Sequence, residues 1–176
     1  MSEEWNRFPI QGVGPIDGMH CDDEEEARIL RHMAREAQDY LLSFSWCTEI
    51  REAYFGGAYA GVVGVFFFRI TPASPKIDEW LWVIVGDLPP AYLVIDVSRT
   101  PSQALESYIL EMWKWVHFAK RGDSSEDVIA VDLAPTWKNA EEVETKLRIL
   151  RKIIVPEFQA SEAALAASPR LVVPIS

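Results

Sequence analysis

The side chains in this sequence with the means to do chemistry are few and scattered. His20, Cys21, Asp22 and Asp23 stand in a row and are all of metal-ligand type. Consecutive residues seldom converge on one ion, and no second ligand cluster accompanies them, so no metal is expected. Cys47 would need His32 or His117 beside it in space to serve as a thiol nucleophile; a free cysteine is more simply a small buried apolar residue. His32 sits among arginines and reads as solvated, and His117 reads as marginal to a core. The nucleophile elbow, the P-loop, His-Glu-x-x-His and Cys-x-x-Cys are all missing. Gly61 and Gly64 make no dinucleotide fingerprint, because no helix follows them. No catalytic residue is assigned, and no cofactor is expected.

Binding is the chemistry that remains. Asp87 lies in a turn between two apolar runs, where partial desolvation is expected, and Pro89-Pro90 stiffen the rest of the turn. Its default role is to accept backbone hydrogen bonds within the turn; the sharper one is to hold a ligand. Trp80, Trp82, Tyr92 and Trp113 belong with it as candidate binding residues. They would wall a pocket between the sheet and the second main helix, with Asp87 at its mouth, or anchor a partner protein. Seven tryptophans in 176 residues are hard to hide in one core.

The elements that must position these groups can be read from periodicity and punctuation. Residues 1–21 contain Pro9, Gly12, Gly14, Pro15 and Gly18 and read as an irregular N-terminal arm. A helix is expected from Asp23 to Phe44, on the stripe Leu30, Met33, Ala34, Ala37, Leu41 and Phe44. Trp46–Phe55 is expected to continue it as a short second piece, stopped by Gly56-Gly57. Strands are expected at Tyr59–Ile70, Glu79–Val85 and Ala91–Val97, joined by turns tight enough for an antiparallel meander. Thr100, Pro101 and Gln103 carry a capping pattern for a second helix, and Gly122 is its stop. Val128–Leu133 is a weaker fourth strand. A third helix is expected from Thr136 to Val155, ending before Pro156.

The expected fold is therefore α+β: an antiparallel meander of three to four strands packed by three main helices, in the order α-β-β-β-α-(β)-α. One domain spans 22–157, and 158–176 is a C-terminal tail. In the strand at Glu79–Val85, Trp80, Trp82 and Ile84 point one way and Leu81, Val83 and Val85 the other, so both sheet faces are apolar. A sheet wet on one side would alternate apolar with polar. Helices must cover both faces, or a second copy of the chain must cover one.

The segment Trp80-Leu81-Trp82-Val83 followed by Gly86-Asp87-Leu88-Pro89-Pro90-Ala91-Tyr92-Leu93-Val94 resembles a group of small uncharacterised bacterial proteins. They carry this strand–turn–strand core ahead of a Trp-containing helix. The resemblance covers residues 22 to 157 and implies no activity, so no residue role comes with it.

Charge narrows the function classes. The formal net charge is −10, and residues 1–26 alone hold eight carboxylates against Arg7. Such a pole repels nucleic acid phosphates and anionic lipid heads and attracts basic proteins. Neither a nucleic acid nor a membrane partner is expected. Part of the run has a simpler purpose, since Asp22 or Asp23 can cap the first helix and the glutamates suit its first turn. No secretory signal is visible and the cysteines do not suggest a disulfide framework, so a cytoplasmic location is expected. The expected function is a non-catalytic, immunity- or antitoxin-like interaction protein for a basic partner. A small-molecule-binding domain or unrecognised enzyme with a pocket near Asp87 is the alternative, and a homo-oligomer is compatible with either.

Overall fold

The computed structural model describes residues 12–16, 21–96, 98–122 and 127–167. It contains β1 (Gly14–Pro15), α1 (Glu24–Leu42), β2 (Cys47–Tyr59), β3 (Val63–Pro72), β4 (Trp80–Gly86), β5 (Ala91–Val94), α2 (Pro101–Arg121), α3 (Trp137–Ile149), a π-helical turn (Leu150–Ile154) and α4 (Val155–Ala167). The strands make one antiparallel sheet in chain order, β1-β2-β3-β4-β5. The expected α+β meander is what the chain forms.

Both faces of the sheet are apolar, and helices of the same chain cover both. Phe66, Phe68, Ile70, Leu81, Val83 and Val85 pack beneath the α1 residues Leu30, Met33, Ala37 and Leu41. On the opposite side Val63, Val65, Phe67, Trp82 and Ile84 meet α2, α3 and α4. Each fully buried side chain of this size contributes about 1.5–3 kcal/mol. Alternation in β3 and β4 thus splits one apolar run into two cores.

The helix starts obey the sequence signals. Asp23 caps α1 by accepting from the N–H groups of Glu25 and Glu26 at 2.8 and 3.4 Å, and Glu24, Glu25 and Glu26 occupy its first turn. Thr100 Oγ1 accepts from the Gln103 N–H at 3.3 Å, and Gln103 Oε1 accepts from the Arg99 N–H at 2.8 Å. A third cap comes from far along the chain. Glu162 of α4 accepts from the Ser102 N–H at 2.7 Å and from the Ser102 hydroxyl at 2.6 Å. A carboxylate on orphan donors at the positive end of a helix is a strong, charge-assisted arrangement.

Three expectations are corrected. Trp46–Phe55 is not helical: Cys47–Tyr59 is a thirteen-residue strand. Its register against β3 shifts between Cys47 and Glu49, Ile50 and Glu52, and Phe55 and Gly57. Each bulge resets the two-residue alternation by which a strand is recognised. Gly56-Gly57 is a place of close approach rather than a helix stop. A Cβ on Gly56 would stand 3.0 Å from the Val65 carbonyl oxygen and 3.1 Å from Pro101 Cγ.

Val128–Leu133 is not a strand. Val128, Ile129, Val131 and Leu133 half-bury their side chains against the α2 core, and the segment joins no ladder. Nor does the third helix end before Pro156. The chain widens into the π turn, where the Val155 N–H donates to the Leu150 carbonyl, and helix resumes through Ala167. Proline lacks an N–H and suits a first helical turn, so the wide turn lets Pro156 begin a new segment on the same rod. Ile154 and Val155 both become buried. The strand limits also move slightly: Tyr59 closes β2 and β5 stops at Val94. Of the N-terminal arm, Gly14 and Pro15 pair with Phe55 and Tyr54; residues 1–11 and 17–20, with His20 and with Glu3, Glu4 and Asp17 of the acidic pole, lie outside the described residues. So do Val97 and the apolar run at 171–175.

Candidate functional site: an aromatic cluster beside the β5 edge

The five candidate binding residues do not converge. Trp82 is wholly buried, packed on Phe67 with ring centroids 4.8 Å apart, and its indole N–H donates to the Ser98 carbonyl at 2.9 Å. It is core. Trp80, half-buried on the same face, stacks on Phe67 at 5.1 Å beneath the Arg69 guanidinium at 5.4 Å. Arg69 is held in turn by Glu79 and Glu52 at 2.5 and 3.1 Å. Trp113 lies half-buried on α2 under the Arg148 guanidinium at 5.9 Å, its buried indole N–H without a hydrogen-bond acceptor among the described residues. Tyr92 is on the opposite sheet face, the α1 side.

Asp87 departs furthest from expectation. Its side chain is 70% exposed rather than desolvated, and it forms an ion pair with Lys146 at 3.2 Å. A concavity of about 310 Å³ does open beside it, but Leu88, Pro89, Asp132, Asn139, Glu142 and Lys146 line it. None of Trp80, Trp82 and Trp113 walls it, so the expected tryptophan-lined pocket is not formed. The turn tip stays wet because β4 and β5 reach their ends there.

What the fold does assemble is a cluster of four rings where α1 meets the β5 edge. Phe44 stacks on Trp46 with centroids 4.9 Å apart; Tyr92 meets Phe44 at 5.4 Å and Trp46 at 5.0 Å; Tyr40 meets Phe44 edge-on at 5.1 Å. Offset and edge-on contacts of this kind add about 0.5–1.5 kcal/mol each beyond area burial. None of the four is sealed. Tyr92 is 38% exposed, Val94 37% and Leu42 50%, because α1 packs mainly over β2, β3 and β4 and only its last turn reaches β5. Beside the cluster runs a groove of about 430 Å³ between Ala91–Val94 and the segment Asp127–Ala130, with Tyr40 and Glu111 completing its walls.

Sequence reasoning found Tyr92 and missed Tyr40, Phe44 and Trp46. Tyr40 and Phe44 are four apart in the sequence, but α1 ends at Leu42, so Phe44 meets Tyr40 just beyond the helix rather than along its face. Trp46 meets Tyr92 through tertiary folding alone.

Burial, then the neighbouring Tyr92, pushes the Tyr40 hydroxyl up to about 12. Tyr54, half-buried and donating to Glu52 at 2.8 Å, is pushed up to about 12 by burial and that carboxylate. In the unfolded chain both would ionise at their ordinary 10.0. The folded state therefore holds their protons longer, and this stabilisation is complete below pH 10 and lost as pH rises toward 12. A tyrosinate absorbance titration run alongside thermal melts checks this. The melting temperature should fall across that window, and Tyr40→Phe should make the fall shallower; an unchanged profile would contradict it.

The thiol and imidazole groups offer no reactive constellation. Cys47 is buried in the α1-side core, and burial pushes its thiol up, the opposite of an activated thiolate. His32 and His117 are exposed. Among the described residues no three metal-ligating side chains come together, and no helix is long and apolar enough to cross a membrane. The chain matches no protein-family model, no curated protein and no solved structure, so geometry alone must carry its function.

Proposed function

We propose that this chain is a non-catalytic, cytoplasmic interaction protein that captures a basic protein partner, and that its docking surface is the Tyr40–Phe44–Trp46–Tyr92 cluster at the β5 edge. The observation that carries the reading is four aromatic rings packed on one another yet left half-open. Tyrosine and tryptophan in such positions are the residues that most often anchor interfaces. The net charge of −10 supplies the second half of the recognition, steering a basic partner in and repelling phosphate backbones and anionic lipids. Masking a basic toxin, as an immunity protein or antitoxin does, is the form of interaction these features suit.

The test uses the intact chain as bait in extract of its source, across a salt series. One basic protein should be retained, with retention falling as salt screens the charges. Tyr92→Ala and Trp46→Ala should each weaken that complex by about tenfold or more, the cost of losing an interface anchor of at least ~1.4 kcal/mol. Asp87→Ala should leave it unchanged. Salt-independent binding that survives both aromatic substitutions would end this reading. A ligand-dependent rise in melting temperature lost in Asp87→Ala would favour the alternative, a small-molecule site in the concavity beside that residue.

A further inference from the structure

β5 is the last strand of the sheet, and among the described residues no strand pairs with its outer side. Exposed edges are usually guarded by charges, prolines or bulges within the strand, because unpaired N–H and C=O groups invite another strand. Ala91-Tyr92-Leu93-Val94 contains none of these, and its ladder with β4 is regular. Across the groove, Asp127–Ala130 runs alongside without pairing, leaving about 430 Å³ between. Glu111 and Asp127 line that space, and among the described residues no basic side chain does; Lys114 reaches Glu111 from outside the lining, at 2.7 Å, and its charge also acts on Asp127.

From these features we infer that the groove is a strand-addition site: an extended segment of the partner protein pairs along β5, directing basic side chains to Glu111 and Asp127 and apolar ones to Tyr92 and Val94. The inference rests on the interaction reading above and specifies the ligand's backbone. Side chains of an added strand alternate between the two faces, so the segment alternates basic with apolar residues. β5 is four residues long, which sets the paired stretch at roughly 13 Å. Main-chain bonds supply affinity in this mode, and the alternating side chains supply selection. A second copy of this chain is the poorer occupant. Pairing β5 with its own twin would bring two sets of Glu111 and Asp127 together between bodies each carrying −10, and facing like charges are destabilising.

The probe is a blocked hexapeptide of alternating lysine and valine, titrated into the intact protein by calorimetry. Three analogues accompany it: one with glutamate for lysine, and two N-methylated at alternate residues in the two registers. The lysine peptide should bind. Glutamate replacement and N-methylation in one register should each weaken binding by about tenfold or more, while the other N-methyl register binds nearly as well. Val94→Lys, which guards the edge with a charge, should abolish binding and leave the melting temperature within a few degrees. Equal binding of both N-methylated peptides would overturn strand addition while leaving the aromatic docking surface standing. Failure of every peptide, with Tyr92-dependent and salt-sensitive capture of a basic protein intact, would do the same. Failure of the peptides and of capture would remove both. A concentration-dependent dimer in sedimentation, dissolved by Val94→Lys, would overturn the choice of occupant.

Discussion

Replacing Gly86 by alanine is expected to leave little folded protein. Gly86 ends β4 with φ +139° opposite Val63, and the adjacent Asp87 N–H donates to the Val62 carbonyl at 2.9 Å. A Cβ on Gly86 would lie 2.2 Å from that same carbonyl oxygen and 2.8 Å from both the Val62 carbonyl carbon and Val63 Cα. All three are backbone atoms at the start of β3, so no side chain can swing aside. Relief would require pulling the β3 and β4 ladders apart where Val63 faces Gly86. The φ value adds strain of order 1–3 kcal/mol for a residue with a side chain. Together the cost exceeds about 4 kcal/mol, rare for one substitution and comparable with the whole stability of a small domain. Soluble yield and urea unfolding read the result. A Gly86→Ala variant that folds with a stability loss under about 1 kcal/mol would show that the β3–β4 junction yields far more than its geometry implies.

Trp82→Ala is expected to cost nearly as much, for a different reason. Its ring has no exposure and sits on Phe67 inside the larger core. Truncation opens a cavity worth about 3–5 kcal/mol. It also strips the Ser98 carbonyl of the indole N–H, and a buried acceptor left unpaired adds roughly 1–3 kcal/mol. Trp82→Phe separates the contributions, since most of the ring remains and the hydrogen bond goes. It should fall between wild type and alanine in denaturant midpoint with an unchanged slope. Tyr92→Ala supplies the contrast. At 38% exposure it should cost about 1 kcal/mol and act on binding instead. If Tyr92→Ala destabilised the fold as much as Trp82→Ala, the ring cluster would be core and not a docking surface.

These two residues also mark how far the sequence could be read. The strand from Trp80 to Gly86 was legible because its apolar residues run without a break, and the demand for cover on both faces came from that run alone. α2 was legible from its two ends, Thr100-Pro101 and Gly122. β2 was not, because three bulges erase the alternation that identifies a strand. Val128–Leu133 has strand composition, but its side chains find burial against α2 without a ladder. Residue type placed Trp82, Tyr92 and Asp87 at one site, and the fold separated them. Strand parity sends Trp82 inward and Tyr92 to the other face. The end of the β4–β5 hairpin leaves Asp87 in water. Which apolar positions stay uncovered depends on where α1 stops, and no local pattern in β5 records the reach of a helix fifty residues earlier.

The carboxylate that Glu162 lends to the start of α2 has a temporal side. Sixty residues separate it from Ser102. At ribosomal speeds of about 5–20 residues per second, roughly 3–12 s pass between the synthesis of the two. Through that interval α2 must hold its first turn on Thr100 and Gln103 alone, and the floor at Gly56-Gly57 lacks its Phe158 lid. The newborn chain thus presents a nearly finished sheet with one core still open, which is the period in which a chaperone would find it.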